Sequence, residues 1–163
     1  NFSQQCVNLA PTSAVGFSAY NSSFDHCTGG GVVVNYTGSG AERVVISGSK
    51  FSKSQASGIG VSVTGNAKVS IRDSDIFQNA GGGVQASGAN AFVNLLHCQV
   101  TNNQAFGVHA TLSGTVSLAD SSITYNNGTG LLADAGSNIL TWSNNWVTGN
   151  NPDGGRTATI VPQ

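Results

Sequence analysis

Charge is scarce in this sequence of 163 residues. Only 8% of the residues are Asp, Glu, Lys or Arg, and the formal net charge is −1. The few cations are scattered, so they form no basic patch of the kind that binds nucleic acid. No apolar run approaches the roughly 20 residues of a membrane-spanning helix. We therefore expect neither a nucleic-acid partner nor a membrane span.

Sulfur is scarce too. Methionine is absent, and the three cysteines, Cys6, Cys27 and Cys98, show no metal-ligand spacing such as CxxC. Their odd number leaves at least one thiol without a partner in the chain. The sequence opens at Asn1 without a methionine or a signal-peptide pattern, which indicates a processed or truncated product. Together these features favour a secreted protein, either extracellular or held at a cell surface.

Glycine and short aliphatic residues, by contrast, are abundant. The chain has 22 glycines, and 39% of its residues are hydrophobic. Much glycine with little charge is also typical of disordered chains. Here, however, valine and isoleucine recur at regular intervals rather than in blocks. That distribution favours short packed strands joined by tight turns.

An internal repeat organises most of the chain. Six segments begin at apolar anchors spaced 23 to 27 residues apart: Phe17, Val44, Val69, Val93, Val116 and Ile139. Five positions after each anchor stands a small residue: Ser22, Ser49, Ser74, Cys98, Ser121 and Asn144. Seven positions after it stands an apolar or aromatic residue: Phe24, Phe51, Ile76, Val100, Ile123 and Trp146. Ten positions after it come Cys27, Ser54, Asn79, Asn103, Asn126 and Gly149.

Five of the segments then share a glycine: Gly31, Gly58, Gly83, Gly107 and Gly130. An alternating apolar pair follows it, such as Ile59 and Val61 in the second segment. Each segment thus contains three short stretches of period-two alternation, which indicates three β-strands. Three strands in about 23 residues describe one coil of a three-sided solenoid, whose equivalent residues stack about 4.8 Å apart.

Other repeat folds fit less well. The LxxLxLxxN frame of leucine-rich repeats is missing, and a β-sandwich would not keep six copies in one register. A left-handed β-helix would show a hexapeptide rhythm, which is also missing. We therefore predict an all-β, right-handed parallel β-helix of about six to seven coils. It would form a single domain over residues 1–163, with a partial first coil (1–16), six repeats (17–149) and a closing tail (150–163).

The two ends of this solenoid differ. Val7 and Leu9 have the pattern of the last strand of a preceding coil, with Cys6 at its glycine position. Cys6 would then lie one coil above Cys27, so these two cysteines are candidates for a disulfide. Cys98 is expected to be a buried thiol. No capping helix precedes the first coil, so we expect that this end either has lost a cap or associates with another copy of the chain.

The coils resemble a known group of proteins. VSIRDSDIFQNAGGGV (69–84), VNLLHCQVTNNQAFGV (93–108) and VSLADSSITYNNGTGL (116–131) are similar to coils of right-handed parallel β-helix repeat proteins of the pectate-lyase-like superfamily. The C-terminal segment resembles the tails of small secreted bacterial members whose function is not assigned. The enzymes of the superfamily imply polysaccharide lyase, glycoside hydrolase or epimerase chemistry. Their Asn-Thr-Asp, Asp-Asp, Gly-His-Gly and Arg-Ile-Lys motifs are missing from this sequence.

One column of the aligned coils carries titratable side chains. Four positions after the anchors, Asp73, His97 and Asp120 would stack on consecutive rungs about 5 Å apart. Two carboxylates beside an imidazole could act as general acid and base on a sugar, so these three are the catalytic candidates. The alternative is that they are polar bend residues that satisfy backbone amides. Lys50, Arg72 and Asp75 would lie nearby and are candidates for ligand binding.

Aromatic side chains and one pair of carboxylates are further candidates for ligand contacts. Tyr20, Trp142, Tyr125 and Phe106 could offer faces for sugar stacking or serve in the core and cap. Asp73 and Asp75 are also candidates for a calcium site, and no other cofactor is predicted.

Two functions follow from these observations. The first is a non-catalytic secreted solenoid that provides a structural surface or binds a polysaccharide or another partner. The second is a carbohydrate-active enzyme that uses Asp73, His97 and Asp120 on an extracellular polysaccharide. We favour the first because charges are few and the catalytic motifs of the enzymes are missing.

Overall fold

The computed structural model of the protein describes residues 4–13, 16–38 and 42–160. These residues form nineteen β-strands and no helix. In chain order the strands are β1 (Gln5–Leu9), β2 (Gly16–Tyr20), β3 (Ser23–Asp25), β4 (Gly30–Tyr36), β5 (Glu42–Ser47), β6 (Lys50–Ser52), β7 (Ile59–Gly65), β8 (Ala67–Arg72), β9 (Asp75–Phe77), β10 (Gly82–Ser87), β11 (Phe92–Leu96), β12 (Gln99–Thr101), β13 (Phe106–Thr111), β14 (Thr115–Ala119), β15 (Ser122–Thr124), β16 (Thr129–Ala133), β17 (Asn138–Thr141), β18 (Trp146–Thr148) and β19 (Ala158–Thr159). Every strand pairs in parallel with the equivalent strand of a neighbouring coil. The predicted all-β parallel solenoid of about six coils is confirmed.

The strands form three sheets because each coil contributes one strand to each sheet. Sheet 1 contains β1, β4, β7, β10, β13 and β16. Sheet 2 contains β2, β5, β8, β11, β14, β17 and β19, and sheet 3 contains β3, β6, β9, β12, β15 and β18. The strands of sheet 3 have only three residues each. Sheet 3 is therefore a narrow face with a bend along each side.

The inward ladders form the core. In sheet 2 the anchors pair in unbroken register from Phe17 to Ile139, as predicted. From the second coil onward each anchor is at most 1% exposed. A second ladder of the same sheet starts at Ala19, two residues after the first anchor. A single coil buries little by itself, so the stacked coils share one continuous hydrophobic core.

The second coil differs from the predicted alignment by two residues. Gly60, not Gly58, continues the glycine ladder of sheet 1. Gly58 lies in a turn instead, where its backbone N–H donates to an upstream carbonyl. The prediction of Ile59 and Val61 as the inward pair was wrong, because this longer turn shifts the pair to Val61 and Val63.

The last coil differs from the prediction by one residue. Two adjacent asparagines, Asn144 and Asn145, precede β18, and Val147 rather than Trp146 pairs with Ile123. Trp146 faces outward and is 68% exposed. The predicted inward position was wrong because one extra residue reverses the face of every strand residue after it. For the same reason Asn145, not Asn144, continues the ladder of small residues.

Asparagines form a ladder along the bend between sheets 3 and 1, buried in all but the last position, which is half-buried. Its members are Asn79, Asn103, Asn126 and Asn150. From Asn103 onward, each amide oxygen accepts hydrogen bonds from the backbone and the side chain of the asparagine one coil earlier. The oxygen of Asn79 accepts from the Ser54 backbone at 3.1 Å. Asn150 therefore takes the place predicted for Gly149. The ladder ends at Asp153, whose carboxylate accepts from the Asn150 backbone at 2.8 Å and from its side chain at 2.9 Å.

The three cysteines have distinct environments. Cys6 and Cys27 form a disulfide with their Cα atoms 5.4 Å apart. Cys6 stands level with Gly31 in sheet 1, so the bond ties β1 to the bend after β3. Cys98 is a buried free thiol. Burial raises the pKa of Cys98 to about 11.

At the other end, the tail lies across the last coil. Gly154 forms a bridge to Leu131 of sheet 1, and β19 pairs with β17 in sheet 2. Nothing in the described part of the tail pairs with β18 of sheet 3. No helix of the length and hydrophobicity needed to cross a bilayer occurs in the part of the chain that the structure describes.

Candidate functional site

The predicted column lies at the bend between sheets 2 and 3. Asp73, His97 and Asp120 all have left-handed backbone conformations, with φ between 48° and 51°. The backbone N–H of His97 donates to the carbonyl of Ala119 on the next rung, and Asp73 makes the equivalent bond to Leu96. The backbone therefore satisfies these two amides. The N–H of Asp120 donates instead to the side-chain oxygen of Asn144 at 3.2 Å. The side chains of Asp73, His97 and Asp120 themselves are left to face solvent at this polar bend.

The three side chains lie together. His97 Nδ1 is 3.5 Å from an Asp73 carboxylate oxygen, and His97 Nε2 is 3.5 Å from an Asp120 oxygen. All three side chains are about half exposed, between 44% and 59%. Below them, the Asn144 amide donates to the other oxygen of Asp120 at 2.5 Å. The result is a vertical row in which one imidazole stands between two carboxylates.

This geometry limits the chemistry of the column. Asp73 and Asp120 are two rungs apart, about 10 Å along the solenoid axis. Paired carboxylates of inverting glycosidases stand about 6.5–9.5 Å apart and leave the space between them for water and the sugar. Here the His97 ring occupies that space. The row is thus suited to hold a shared proton or to accept hydrogen bonds from a ligand lying across it.

The binding candidates separate onto two faces. Lys50 and Asp75 lie opposite each other on the outer face of sheet 3. Arg72 lies on the outer face of sheet 2, level with Leu96, because the bend at Asp73 turns the chain between the two sheets. Lys50 and Asp75 therefore share a face with the site, and Arg72 stands on the far side of the bend.

Trp146 is the functional candidate that sequence reasoning missed. It belongs to the same outward column of sheet 3 as Asp75, Gln99 and Ser122. A shallow depression of about 340 Å³ lies between this column and the titratable row, lined by His97, Gln99, Asp120, Ser122, Asn144 and Trp146 among others. The signal in the sequence was the doubled asparagine before Trp146, which turns the indole outward.

The other aromatic candidates lie apart from this depression. Tyr20 and Tyr125 are exposed at 61% and 62%, on other bends and strand ends. Phe106 is buried in sheet 1, where its ring packs edge-on against His109 at 5.1 Å. Trp142 is half-buried at the C-terminal end of sheet 2. Trp146 is thus the aromatic side chain that lines the depression beside the row.

Two further Asp–His pairs lie outside the site. On sheet 1, His109 Nε2 is 3.1 Å from Asp134, whose pKa is lowered mainly by a hydrogen bond from Thr111 and then by His109. At the N-terminal end of sheet 3, His26 Nδ1 is 2.6 Å from Asp25. The pKa of Asp25 is likewise lowered, first by the Ser52 hydroxyl.

The residues of the site do not fit a calcium ion. Calcium takes six to eight oxygen ligands in flexible geometry. Asp73 stands in the bend with an imidazole nitrogen of His97 at 3.5 Å, and Asp75 is half-buried on the sheet face. Within the described residues, no group of three or more His, Cys, Asp or Glu side chains could hold a metal ion.

Comparison with known proteins identifies the family. A family model described as "Right handed beta helix region" matches residues 5–159. Searches of curated proteins and of solved structures find no match. The resemblance to the pectate-lyase-like superfamily is consistent with the family match. Since the match covers nearly the whole chain and the structure is a three-sided parallel solenoid, the protein belongs to the right-handed β-helix family.

Proposed function

We propose that this protein is an extracellular, non-catalytic β-solenoid that binds a neutral polysaccharide on sheet 3. The observation that carries the proposal is the exposed indole of Trp146 beside a shallow, polar depression. Sugar rings present an apolar face that stacks on aromatic side chains, and hydroxyls that bond to polar ones. Gln99 and Ser122 lie on the same column as Trp146 and supply such polar groups.

The charges around the depression favour a neutral ligand. Asp73 and Asp120 flank His97 in the row, and Asp75 lies on the adjacent face. These carboxylates would repel a uronate chain, whereas they accept hydrogen bonds from sugar hydroxyls. The row, rather than catalysing a reaction, would then orient a chain that lies along sheet 3.

An extracellular location is supported by the covalent structure and the composition. Disulfides persist in oxidising compartments, and Cys6 and Cys27 form one. The proposed binding needs no cofactor, so chelating calcium is expected to leave it unchanged. Self-association through the N-terminal end stays a prediction, which sedimentation of the chain at several concentrations tests.

The chain has two tryptophans, which makes the binding proposal directly testable. In the Trp142→Phe variant, Trp146 is the one remaining tryptophan, so the tryptophan fluorescence reports on the depression alone. Titration of this variant with linear glucan or mannan hexasaccharides is expected to give a saturable change in fluorescence. Trp146→Ala, measured by isothermal titration calorimetry because it lacks the reporting indole, is expected to bind about tenfold more weakly, since one stacked ring contributes about 1.4 kcal/mol. Tyr20→Ala is the control because it removes another exposed aromatic, far from the depression.

Several outcomes would contradict the proposal. Polygalacturonate binding as tightly as the neutral sugars would remove the electrostatic argument. An equal loss in Trp146→Ala and Tyr20→Ala would mean that the depression is not the site. If no carbohydrate binds, a purely structural role is the better explanation of the fold.

A carbohydrate-active enzyme is the second candidate, and one observation favours it. Both ring nitrogens of His97 face carboxylates, which is an arrangement that can move a proton. The test is incubation with uronate and neutral polysaccharides, with and without calcium, followed by assays for unsaturated products and new reducing ends. Turnover that disappears in both His97→Ala and Asp120→Ala would overturn the non-catalytic proposal.

A further inference from the structure

A second cavity lies at the C-terminal end of the solenoid, away from the depression on sheet 3. It has a volume of about 410 Å³ and lies between the last coil and the tail. Thr141 and Val147 of the last coil and Trp142 line one side, and Gly155, Arg156 and Thr159 of the tail line the other. A volume of 300–1,000 Å³ is typical of sites for small molecules.

The cavity exists because the tail crosses the end of the core without filling it. Gly154 has φ +74° and packs against the Leu131 carbonyl, so only glycine suits this position. A Cβ added at Gly155 would meet no atom within 4 Å. Farther along the sheet 2 ladder, Thr141 takes the place that the larger Leu118 fills one coil earlier. Two small residues and one short side chain thus leave a space that other coils fill with aliphatic groups.

The lining of the cavity combines an aromatic wall with one unpaired cation. Trp142 is half-buried there. Arg156 is exposed at the rim of the cavity, and its Nε donates a hydrogen bond to the Thr159 hydroxyl at 2.6 Å. Its terminal guanidinium nitrogens have no partner among the described residues. Asp153 also lines the cavity, but its Oδ1 accepts from Asn150 rather than from Arg156.

We infer that this end cavity binds a small monocarboxylate that carries a ring. A guanidinium binds a carboxylate through two parallel hydrogen bonds, and Arg156 has its terminal nitrogens free for them. With the carboxylate at Arg156, the ring of the ligand would pack on the Trp142 indole, and Thr141 would contact its edge. Arg156 is the one cation of the lining, and the one anion, Asp153, is already bonded to Asn150. The cavity therefore suits a ligand with one ring and one negative charge placed at Arg156.

This inference does not rest on the proposed polysaccharide site. The two sites use different tryptophans, so each can be observed alone. In Trp146→Phe, Trp142 is the one remaining indole and reports on the end cavity. Ring-bearing carboxylates come from two sources, sugar acids and aromatic acids, and glucuronate and benzoate represent them. Glucose and benzyl alcohol are their uncharged counterparts.

The experiment is a fluorescence titration of Trp146→Phe with these four compounds. A saturable change with glucuronate or benzoate is expected, with at least tenfold weaker binding of its uncharged counterpart. Arg156→Gln in the same background is expected to abolish this preference for the carboxylate. Arg43→Gln is the matched control, since it removes an exposed cation of sheet 2 without touching the cavity.

The result can also be read without a variant. Saturation-transfer NMR on the unmodified chain should show transfer to the ring protons of the carboxylate that binds. The uncharged counterpart of that compound should not displace it. The inference fails if neither carboxylate binds, if the uncharged counterparts bind equally well, or if a folded Arg156→Gln keeps the preference. Which of the two carboxylates binds identifies the source of the ligand.

Discussion

Replacement of Asn103 by alanine tests how far the asparagine ladder stabilises the solenoid. Asn103 is fully buried. Its side-chain oxygen accepts from the Asn79 backbone at 3.1 Å and from the Asn79 amide at 2.9 Å. Its own amide donates to the Ile76 carbonyl at 3.2 Å and to the Asn126 oxygen at 3.0 Å. One side chain thus joins three coils.

The expected cost follows from the groups that lose their partners. In Asn103→Ala the Asn79 backbone N–H, one hydrogen of the Asn79 amide and the Ile76 carbonyl lose a bond inside the core. Each such group costs about 1–3 kcal/mol when it is left unsatisfied. The free energy of unfolding should therefore fall by about 3–9 kcal/mol, a large fraction of the 5–15 kcal/mol typical of a domain.

Urea unfolding followed by far-UV circular dichroism measures this loss, as a lower midpoint at an unchanged m value. Asn94→Ala is the matched control. The Asn94 side chain lies on the outer face of sheet 2 and makes no hydrogen bond to the described residues. The cost of Asn94→Ala should therefore be under about 0.5 kcal/mol. A loss below about 1 kcal/mol in Asn103→Ala, or one equal to that of the control, would refute the reasoning.

Three further predictions concern the core and the cysteines. Gly83→Ala should lower the free energy of unfolding by about 1–3 kcal/mol in the same urea assay, because the added methyl group would collide with the Val100 side chain; an unchanged midpoint would contradict this. Burial raises the pKa of Cys98 from 9.0 to about 11, so the thiol ionises at a lower pH in the unfolded chain than in the folded one. The free energy of unfolding should therefore fall by about 2–3 kcal/mol between pH 9 and pH 11, and this group should not affect it below pH 9. The same pH series on Cys98→Ala should lack that decrease, and a parallel decrease in both proteins would assign it to other groups. Reduction of the Cys6–Cys27 disulfide, which closes a loop with a sequence separation of 21, should cost about 3 kcal/mol, measured as a lower unfolding midpoint with dithiothreitol; Cys6→Ser should show no further effect of the reductant.

The equal offsets of the six segments made most of the fold predictable. Equivalent residues of a parallel solenoid pair directly, so the spacing from Val44 to Val69 is also the register of β5 on β8. The adjacency of Asp73, His97 and Asp120 followed in the same way. Their 3.5 Å separations depend on side-chain rotamers, which offsets do not specify.

The errors arose where a coil has extra residues. At Gly58 the sequence offers two glycines, and only the turn after Gln55 decides that Gly60 joins the ladder. Before Trp146, either of two asparagines suits the small-residue position. A one-residue difference there turns an indole from the core to the surface, because side chains alternate along a strand. The most informative residue of the candidate site was therefore the one that the repeat predicted least well.

The rung spacing of the solenoid is the reason that we propose binding rather than hydrolysis for the row at His97. Neighbouring rungs are about 4.8 Å apart, so carboxylates on adjacent rungs could approach the 5–5.5 Å of a retaining glycosidase pair. Carboxylates on alternate rungs are close to the separation of an inverting pair. They can act as such a pair only if the rung between them leaves room for the water and the sugar. In this chain the carboxylates are on alternate rungs, and the rung between them holds an imidazole within 3.5 Å of each. The identity of the middle residue, rather than the presence of two acids, thus decides what this face can do.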